Sequence, residues 1–309
     1  MITHVINKKR SWGQYLRENY DLYLFMLPAI IVIMIFNYVP LYGLQLAFKN
    51  FYIRLGISGS EWVGLTHFIR FFNSANAWQI IGNTLSLSIY SLLASFPVPI
   101  ILALLLNSVP SRRFRKTVQT ITYAPNFISV VVICGMILLF LSPRTGFVNM
   151  LFNVLGIETI HFMARPAMFP HIYVWSGIWQ TMGFNSIIYF AALSSVNPEL
   201  HEAATVDGAT KLQRIFHIDL PGILPTASIL LILSFGSLMS LGFEKAFLLQ
   251  NDMNLRASEI ISTYVYKMGL VHNDMSFSTA IGLMNSVVNA TLLIIVNSAT
   301  RKLTGSSLW

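Results

Sequence analysis

The chain has 309 residues, of which 55% are hydrophobic and only 10% are charged, and its mean hydropathy of +0.63 is too apolar for an ordinary soluble domain. Its net charge of +8 is the basic surplus that membrane topology produces, so it does not require a nucleic-acid partner. The single cysteine, Cys134, excludes a disulfide framework and a cysteine metal site.

Six stretches of the chain lack Asp, Glu, Lys and Arg over 24 to 41 residues each. A helix that crosses the hydrocarbon core needs about 20 mostly apolar residues, so every stretch is long enough for one span. The apolar runs are continuous rather than alternating, which excludes an outer-membrane β-barrel. We therefore predict an all-α polytopic membrane protein with six transmembrane helices, at about 22–48, 80–106, 117–141, 170–194, 220–243 and 276–300.

Both ends of the chain are predicted to be cytoplasmic. Six spans place the N-terminal segment 1–21 and the tail 302–309 on one side, and that side collects 12 of the 20 Lys and Arg residues, as the positive-inside rule requires. A contact with anionic lipid or with a partner is an alternative role for the basic cluster of one short loop, 112–116. Between the two ends, 22–301 is predicted to form a single membrane domain.

Prolines are expected to bend two of the spans. Pro97 and Pro99 fall in the second span and Pro125 falls near the start of the third. Each proline removes one backbone hydrogen bond, which kinks a helix at that point. Kinked helices suit a moving pore, although membrane helices also tolerate proline without any motion.

The cytoplasmic loop at 197–219 does not have the pattern of an ordinary hydrophilic connector. Pro198 suits the first turn of a helix, and Gly208 can take a positive φ where that helix ends. Beyond the glycine, Ile215, Ile218 and Leu220 form an apolar stripe. The pattern predicts a short amphipathic helix, a sharp turn and a second helical arm, an element suited to docking against a soluble partner.

This loop resembles the EAA signature of permease subunits of bacterial ABC importers. The resemblance rests on seven residues at fixed spacing: Glu202, Ala203, Ala204, Gly208, Ile218, Leu220 and Pro221. It implies the type I importer fold and a coupling helix that seats in a cleft of a cytoplasmic ATPase, where Glu202 faces a basic group and Gly208 makes the turn. The implied coupling residues are Glu202, Ala203, Ala204, Asp207, Gly208, Ile218, Leu220 and Pro221.

The resemblance extends along most of the chain, to the LplB branch of the carbohydrate-uptake permeases. It is carried by the stretches 27–28, 38–49, 82–85, 242–249 and 306–309. It implies a cell-membrane subunit that pairs with a second permease and two ATPase subunits, which use ATP and Mg. An extracytoplasmic solute-binding protein would deliver an oligosaccharide, acidic or neutral, such as an alginate or rhamnogalacturonan fragment. No cofactor or metal is expected on this chain.

A sugar path needs aromatic faces for stacking and amides, hydroxyls or carboxylates for the sugar hydroxyls. The fourth span supplies such a set, and a charged pair follows the fifth. Helix–helix hydrogen bonds and a simple ion pair are the structural alternatives for these residues. The candidates are Trp179, Gln180, Gly183, Asn185, Glu244 and Lys245, with Asn83, Tyr90, Asn126 and Ser129 as weaker ones.

Three other functions are alternatives to a permease subunit of an ABC importer. The sequence contains neither a His-Glu-x-x-His pair nor a G-x-x-x-x-G-K-[ST] loop, which argues against a metalloenzyme and against a pump that hydrolyses ATP by itself. The serious alternative is an ion-coupled secondary sugar transporter. Such a transporter usually carries an ionisable residue deep in a span, and the six runs hold no Asp, Glu, Lys or Arg. An externally powered permease is therefore favoured over an enzyme or an ion-coupled carrier.

Overall fold

The computed structural model describes residues 18–304. Most of the predicted N-terminal segment, 1–17, and the end of the predicted tail, 305–309, lie outside the described residues, as does the stretch 306–309 that carries part of the resemblance. The described chain is helical apart from turns and one pair of two-residue strands. The strands, β1 (Lys49–Asn50) and β2 (Glu61–Trp62), are antiparallel and pair Lys49 with Trp62.

Helices occupy nearly all of the rest. The α-helices are α1 (Tyr20–Ile33), α2 (Gly56–Gly59), α3 (Thr66–Phe72), α4 (Ala77–Ser95), α5 (Pro97–Ser108), α6 (Arg112–Tyr123), α7 (Val130–Phe140), α8 (Phe147–Val154), α9 (Phe169–Ser194), α10 (Pro198–Val206), α11 (Lys211–Arg214), α12 (Leu220–Gly236), α13 (Phe243–Leu249), α14 (Leu255–Ser258), α15 (Ile261–Tyr266) and α16 (Met275–Thr304). Tighter 3₁₀ turns lie at Val39–Phe48, Ala124–Phe127, Phe162–Ala164 and Pro166–Met168, and wider π-helical turns lie at Met34–Tyr38, Ile215–Asp219 and Lys267–Val271.

Four helical stretches are long and apolar enough to cross a membrane: Tyr20–Phe48, Ala77–Ser108, Lys211–Gly236 and Met275–Lys302. A bent pair of helices brings the number to five if the pair is counted as one span. The fourth predicted span, 170–194, corresponds in position to the helix α9, whose 26 residues extend roughly 39 Å at the usual rise of an α-helix. It is not among the four because residues such as Gln180 and Asn185 make it less apolar.

The third predicted span, 117–141, is not one straight helix. Helix α6 and the 3₁₀ turn Ala124–Phe127 meet α7 at an angle of 98°. Pro125 lies in that turn and has no N–H to donate, and the side chain of Ser129 accepts a hydrogen bond from the N–H of Val132 at the start of α7. The bend expected from Pro125 is therefore present. Pro97 starts α5 directly after α4, within one 32-residue helical stretch.

Helix α9 lies at the centre of the packing, against α4, α5, α6 and α12. Its N-terminal half contributes Phe169 and Tyr173 to one buried cluster, and its C-terminal half contributes Tyr189 and Leu193 to a second. A third cluster joins α3, α4, α15 and α16 through residues such as Phe277. Helix α1, by contrast, buries none of its residues, as expected of a peripheral helix whose apolar side chains would face lipid.

Candidate coupling loop and substrate pathway

The helix–turn–helix predicted for the loop 197–219 is present. The side chain of Asn197 accepts a hydrogen bond of 3.0 Å from the N–H of Glu199, and Pro198 occupies the first turn of α10. At the other end Gly208 has a φ of +78°. The N–H groups of Gly208 and Ala209 return to the carbonyls of Thr205 and Ala204, the pattern of a Schellman cap.

The second arm is closed by its own cap and tied back to the first. Thr210 and Gln213 exchange hydrogen bonds in a capping box at the start of α11. Nη1 of Arg214 donates to Oγ1 of Thr205 over 2.9 Å, which links the two arms. The π-helical turn Ile215–Asp219 then leads without a break into α12. The loop and α12 therefore form one continuous helical stretch from Lys211 to Gly236.

One buried carboxylate anchors the loop to the membrane domain. Asp219 is only 3% exposed, and its Oδ1 lies 3.2 Å from Nε2 of His201 in α10. The amide of Asn107, at the end of α5, donates to the same oxygen over 3.4 Å. Sequence reasoning missed this cluster, although an acidic residue inside the apolar stripe of Ile215, Ile218 and Leu220 was a signal that could have found it.

The signature residues divide between two faces of the loop. Ala204, Ile218 and Leu220 are partly buried against the rest of the chain. The exposed signature residues are Glu202, Ala203, Asp207, Gly208 and Pro221. Four large apolar side chains are exposed beside them, namely Leu200, Val206, Leu212 and Phe216, and the exposed fraction reaches 88% at Val206. Together these exposed apolar residues form a surface that a protein partner could cover.

A cavity of about 590 Å³ lies between α4, α5, α9 and α12. Asn185 is the one predicted pathway residue that lines it. Sequence reasoning missed the others, which mix apolar and aromatic surface with hydroxyl groups, as a sugar site requires. The lining residues with polar or aromatic groups include Ser95, Phe96, Asn185, Ser234 and Ser237.

Three other predicted pathway residues turn away from this cavity. Trp179 lines a separate apolar cavity of about 260 Å³ against α7. Gln180 donates to the carbonyl of Ile128 over 3.1 Å, at the bend before α7. A β-carbon on Gly183 would collide with the carbonyl oxygen of Thr122, so this glycine permits close packing of α6 on α9. These contacts fit the helix–helix alternative for Gln180 and Gly183.

Glu244 and Lys245 do not form an ion pair. Lys245 is 8% exposed, and its Nζ donates to the carbonyl of Tyr173 over 2.8 Å and lies 5.0 Å from the centre of the Tyr173 ring. Glu244 is exposed at the start of α13. The lysine thus joins α13 to α9, while the carboxylate is left available to a ligand or to solvent.

The chain leaves helical geometry between α12 and α13, within reach of the cavity. The N–H of Met239 donates to Oδ1 of Asn289 over 2.9 Å, and the amide of Asn289 donates to Oγ of Ser240 over 2.9 Å. Asn285 adds a longer bond to the carbonyl of Met239. Two side-chain amides of α16 therefore satisfy backbone groups that the break leaves without helical partners. The fifth predicted span, 220–243, accordingly ends as a helix at Gly236.

A family model described as "Binding-protein-dependent transport system inner membrane component" matches residues 95–305. The chain is 41% identical over 295 residues to the polygalacturonan/rhamnogalacturonan transport system permease protein YteP of Bacillus subtilis, covering 96% of this chain and 92% of YteP. It is 39% identical to protein LplB of the same organism, covering 94% and 92%.

A solved structure is also closely similar. It is described as a bacterial alginate ABC transporter in complex with alginate pentasaccharide-bound periplasmic protein. One of its chains superposes with a TM-score of 0.89 at 40% identity, covering 97% of this chain and 100% of that chain. The resemblance inferred from the EAA loop is therefore confirmed, and the enzyme and the ion-coupled carrier are set aside. The chain belongs to the family of inner membrane components of binding-protein-dependent transport systems and is a non-catalytic permease component of an ABC importer.

Proposed function

We propose that this permease imports an oligosaccharide, including acidic chains of the alginate or rhamnogalacturonan type, by alternating access. The observation that carries the proposal is the likeness, at 40% identity or more over nearly the whole chain, both to a permease named for polygalacturonan and rhamnogalacturonan and to a transporter of alginate. The 590 Å³ cavity is lined mainly by apolar and aromatic residues, among which Ser95, Asn185, Ser234 and Ser237 supply the hydroxyl and amide groups that a saccharide could bond.

The proposed topology has six spans, with both ends in the cytoplasm and the type I importer fold. The four apolar stretches supply four spans, the bent pair of α6 and α7 supplies the third in chain order, and α9 supplies the fourth. Helix α9 can be more polar than the others because its neighbours α4, α5, α6 and α12 cover much of its surface. The loop 197–219 then lies in the cytoplasm, where the basic residues concentrate.

In the proposed assembly this chain pairs with a second permease subunit and two ATPase subunits within the lipid bilayer, and an extracytoplasmic solute-binding protein delivers the sugar. The exposed apolar residues around Glu202 are the surface against which an ATPase would dock. ATP binding at the ATPase interface provides the difference in affinity that shifts the pore between inward-facing and outward-facing states. Because Ile215–Asp219 continues into α12, the loop transmits that shift to the cavity wall.

The cavity is the proposed inner part of the sugar path. Asn185 and Ser234 line the cavity and would hydrogen-bond sugar hydroxyls, and Phe96 would supply an aromatic face. Trp179 and Glu244 are exposed and stay in the proposed path as secondary contacts. Gln180, Gly183 and Lys245 act as packing residues that hold α9 against α6, α7 and α13.

The deciding experiment uses the complete complex in proteoliposomes: this chain, its partner permease, the ATPase and the binding protein. ATPase activity is measured with uronate-containing and with neutral oligosaccharides, without an ion gradient. Stimulation by one class is the expected result and identifies the substrate class. A complex that is stimulated by neither class, yet takes up sugar when an ion gradient is imposed, would contradict the proposal.

A further inference from the structure

A hydrogen-bonded aromatic cluster joins the outer half of α9 to α4. Nε1 of Trp175 donates to the hydroxyl of Tyr90 over 2.9 Å, and the same hydroxyl lies 2.9 Å from Nδ1 of His171. The Tyr90 and His171 rings meet edge to face, with their centres 5.4 Å apart and their planes at 80°. The ring of Trp175 is nevertheless 55% exposed. The polar edge of the indole is therefore bonded to the neighbouring helix while much of the Trp175 side chain stays accessible.

The directions of the two hydrogen bonds determine which polar group of the cluster remains free to bind a ligand. An indole N–H can only donate, so it occupies a lone pair of the Tyr90 oxygen. The hydroxyl proton is then free to bond Nδ1 of His171, and a neutral imidazole in this arrangement carries its proton on Nε2. His171 is exposed, so this N–H can donate outward to a hydroxyl or a carboxylate oxygen.

The arrangement differs from that of a tryptophan anchored at the membrane interface. An anchor tryptophan directs its N–H toward water and head groups while its ring lies in the apolar layer. Here the N–H of Trp175 is bonded to the hydroxyl of Tyr90 on the neighbouring helix, next to the exposed imidazole of His171. An exposed aromatic face beside a hydrogen-bond donor is the combination that binds a pyranose.

The cluster lies along the same pair of helices as the large cavity. On α4, Tyr90 is followed by the cavity residues Leu92 and Ser95. On α9, Trp175 precedes Asn185 by ten residues, which is roughly 15 Å along the helix. In the proposed topology α9 runs from the outer loops toward the cytoplasm, so the cluster lies on the extracytoplasmic side of the cavity.

We propose that Trp175 and His171 form an outer saccharide subsite, with Tyr90 as the positioning residue that holds both. One sugar unit of an oligosaccharide stacks on the indole and accepts a hydrogen bond from His171, while later units of the same chain occupy the cavity at Asn185. The subsite rests on the proposed function, since it presupposes an oligosaccharide substrate. With this subsite the permease would prefer oligosaccharides that are long enough to contact both Trp175 and the cavity at Asn185.

The test is the ratio of pentasaccharide to disaccharide uptake by proteoliposomes that contain the complete complex, with uronate oligosaccharides supplied on the binding protein. A disaccharide is too short to occupy both places, so Trp175→Ala is expected to lower this ratio several-fold, up to about tenfold for one lost stacking contact. Trp78→Ala, at an exposed tryptophan outside the cluster, is the matched control and leaves the ratio unchanged. A ratio is used because poor assembly reduces the uptake of both sugars equally.

Tyr90→Phe gives a second test, because it keeps the packed ring and removes only the hydroxyl that positions the other two side chains. It is expected to lower the ratio in the same direction, by less than Trp175→Ala. If Trp175→Ala and Trp78→Ala give the same ratio as the wild type, the outer subsite is wrong while the proposed function stands. If the wild-type complex takes up neither sugar, the proposed function fails and the subsite fails with it.

Discussion

Nε2 of His201, in the first helix of the loop 197–219, lies 3.2 Å from Oδ1 of Asp219, the residue directly before α12. The contact joins two distant parts of the loop, because 17 residues lie between His201 and Asp219 in the sequence. Asp219 is buried and Asn107 also donates to it, so the contact joins the loop, α5 and α12. Motion of α10 is thereby mechanically linked to two membrane helices.

Removing the imidazole is expected to loosen this link. His201→Ala leaves the buried carboxylate with Asn107 as its remaining side-chain partner, at a cost of about 1–3 kcal/mol in unfolding free energy. Adding Asp219→Asn removes the charge and should recover part of that loss. The measurement is a double-mutant cycle on the thermal stability of the purified complex, together with its ratio of transport to ATP hydrolysis. Strictly additive effects of the two substitutions would contradict the link.

Gly208→Ala is expected to reduce uptake. The φ of +78° costs a residue with a β-carbon about 1–2 kcal/mol, so the turn would be less stable. Gly208→Asn should do less harm, since asparagine tolerates this conformation better. Uptake and the amount of ATPase that copurifies are the readouts. Gly82→Ala is the matched control, at an uncrowded helical glycine. A Gly208→Ala complex as active as the Gly82→Ala complex would contradict a required turn.

Glu202→Lys is expected to abolish uptake while the permease still inserts, because it reverses the charge that would face a basic group of the ATPase. Glu199→Lys is the control on the same helix: it lies outside the signature and is also exposed, and it loses an exposed hydrogen bond from the amide of Asn197 and a favourable helix-terminus interaction of about 0.3–1 kcal/mol. Copurification of the ATPase with each variant measures docking. Equal ATPase recovery and equal uptake in both variants would argue against the role given to Glu202.

Gly183→Ala is expected to destabilise the permease by about 1–3 kcal/mol, because the new methyl group would drive α6 away from α9 at Thr122. Gly135→Ala, in α7, has no atom within 4 Å of the added β-carbon and should be harmless or slightly stabilising. The measurement is the melting temperature of each of the two variants in detergent. Equal melting temperatures would mean that the two helices pack less closely than described.

Asn185→Leu is expected to lower sugar-stimulated ATPase activity about five- to tenfold without affecting assembly, since it replaces the amide at the cavity wall by an apolar group of similar size. Gln180→Leu is the contrasting variant, because its amide supports the bend at Ile128 rather than the cavity. It should lower stability, measured by thermal unfolding, more than substrate stimulation. The opposite pattern would place the path on the other side of α9.

The structure of the loop 197–219 was largely predictable because its signals are local. Pro198 favours the first turn of a helix and Gly208 permits a left-handed turn through their own backbone chemistry, whatever surrounds them. The direction of each side chain on α9 was not predictable. That helix is covered by neighbours on several sides, so its apolar residues show no single face. The partners of Gln180 and Asn185 therefore depend on which helices lie beside them, a long-range property.

The position of the cavity could not be predicted from the sequence, because it depends on the same long-range information. Ser95, Asn185 and Ser234 come from three distant stretches of the sequence and meet only when α4, α9 and α12 pack together. The buried contact of His201 with Asp219 was also outside the reach of local pattern reasoning, although an acid within an apolar stripe was visible. Local turn chemistry predicted the loop, and helix packing determined the site.

The break between α12 and α13 gives the fifth span unequal stiffness along its length. The N-terminal part is a continuous helix that begins at the end of the loop 197–219, whereas the C-terminal part is attached through a stretch held by the amides of Asn285 and Asn289. In the proposed coupling, a rotation of α12 about its axis would move Ser234 at the cavity wall and would not have to turn α13, which Lys245 fastens to α9. The non-helical stretch would then separate the movement of α12 from the position of α13.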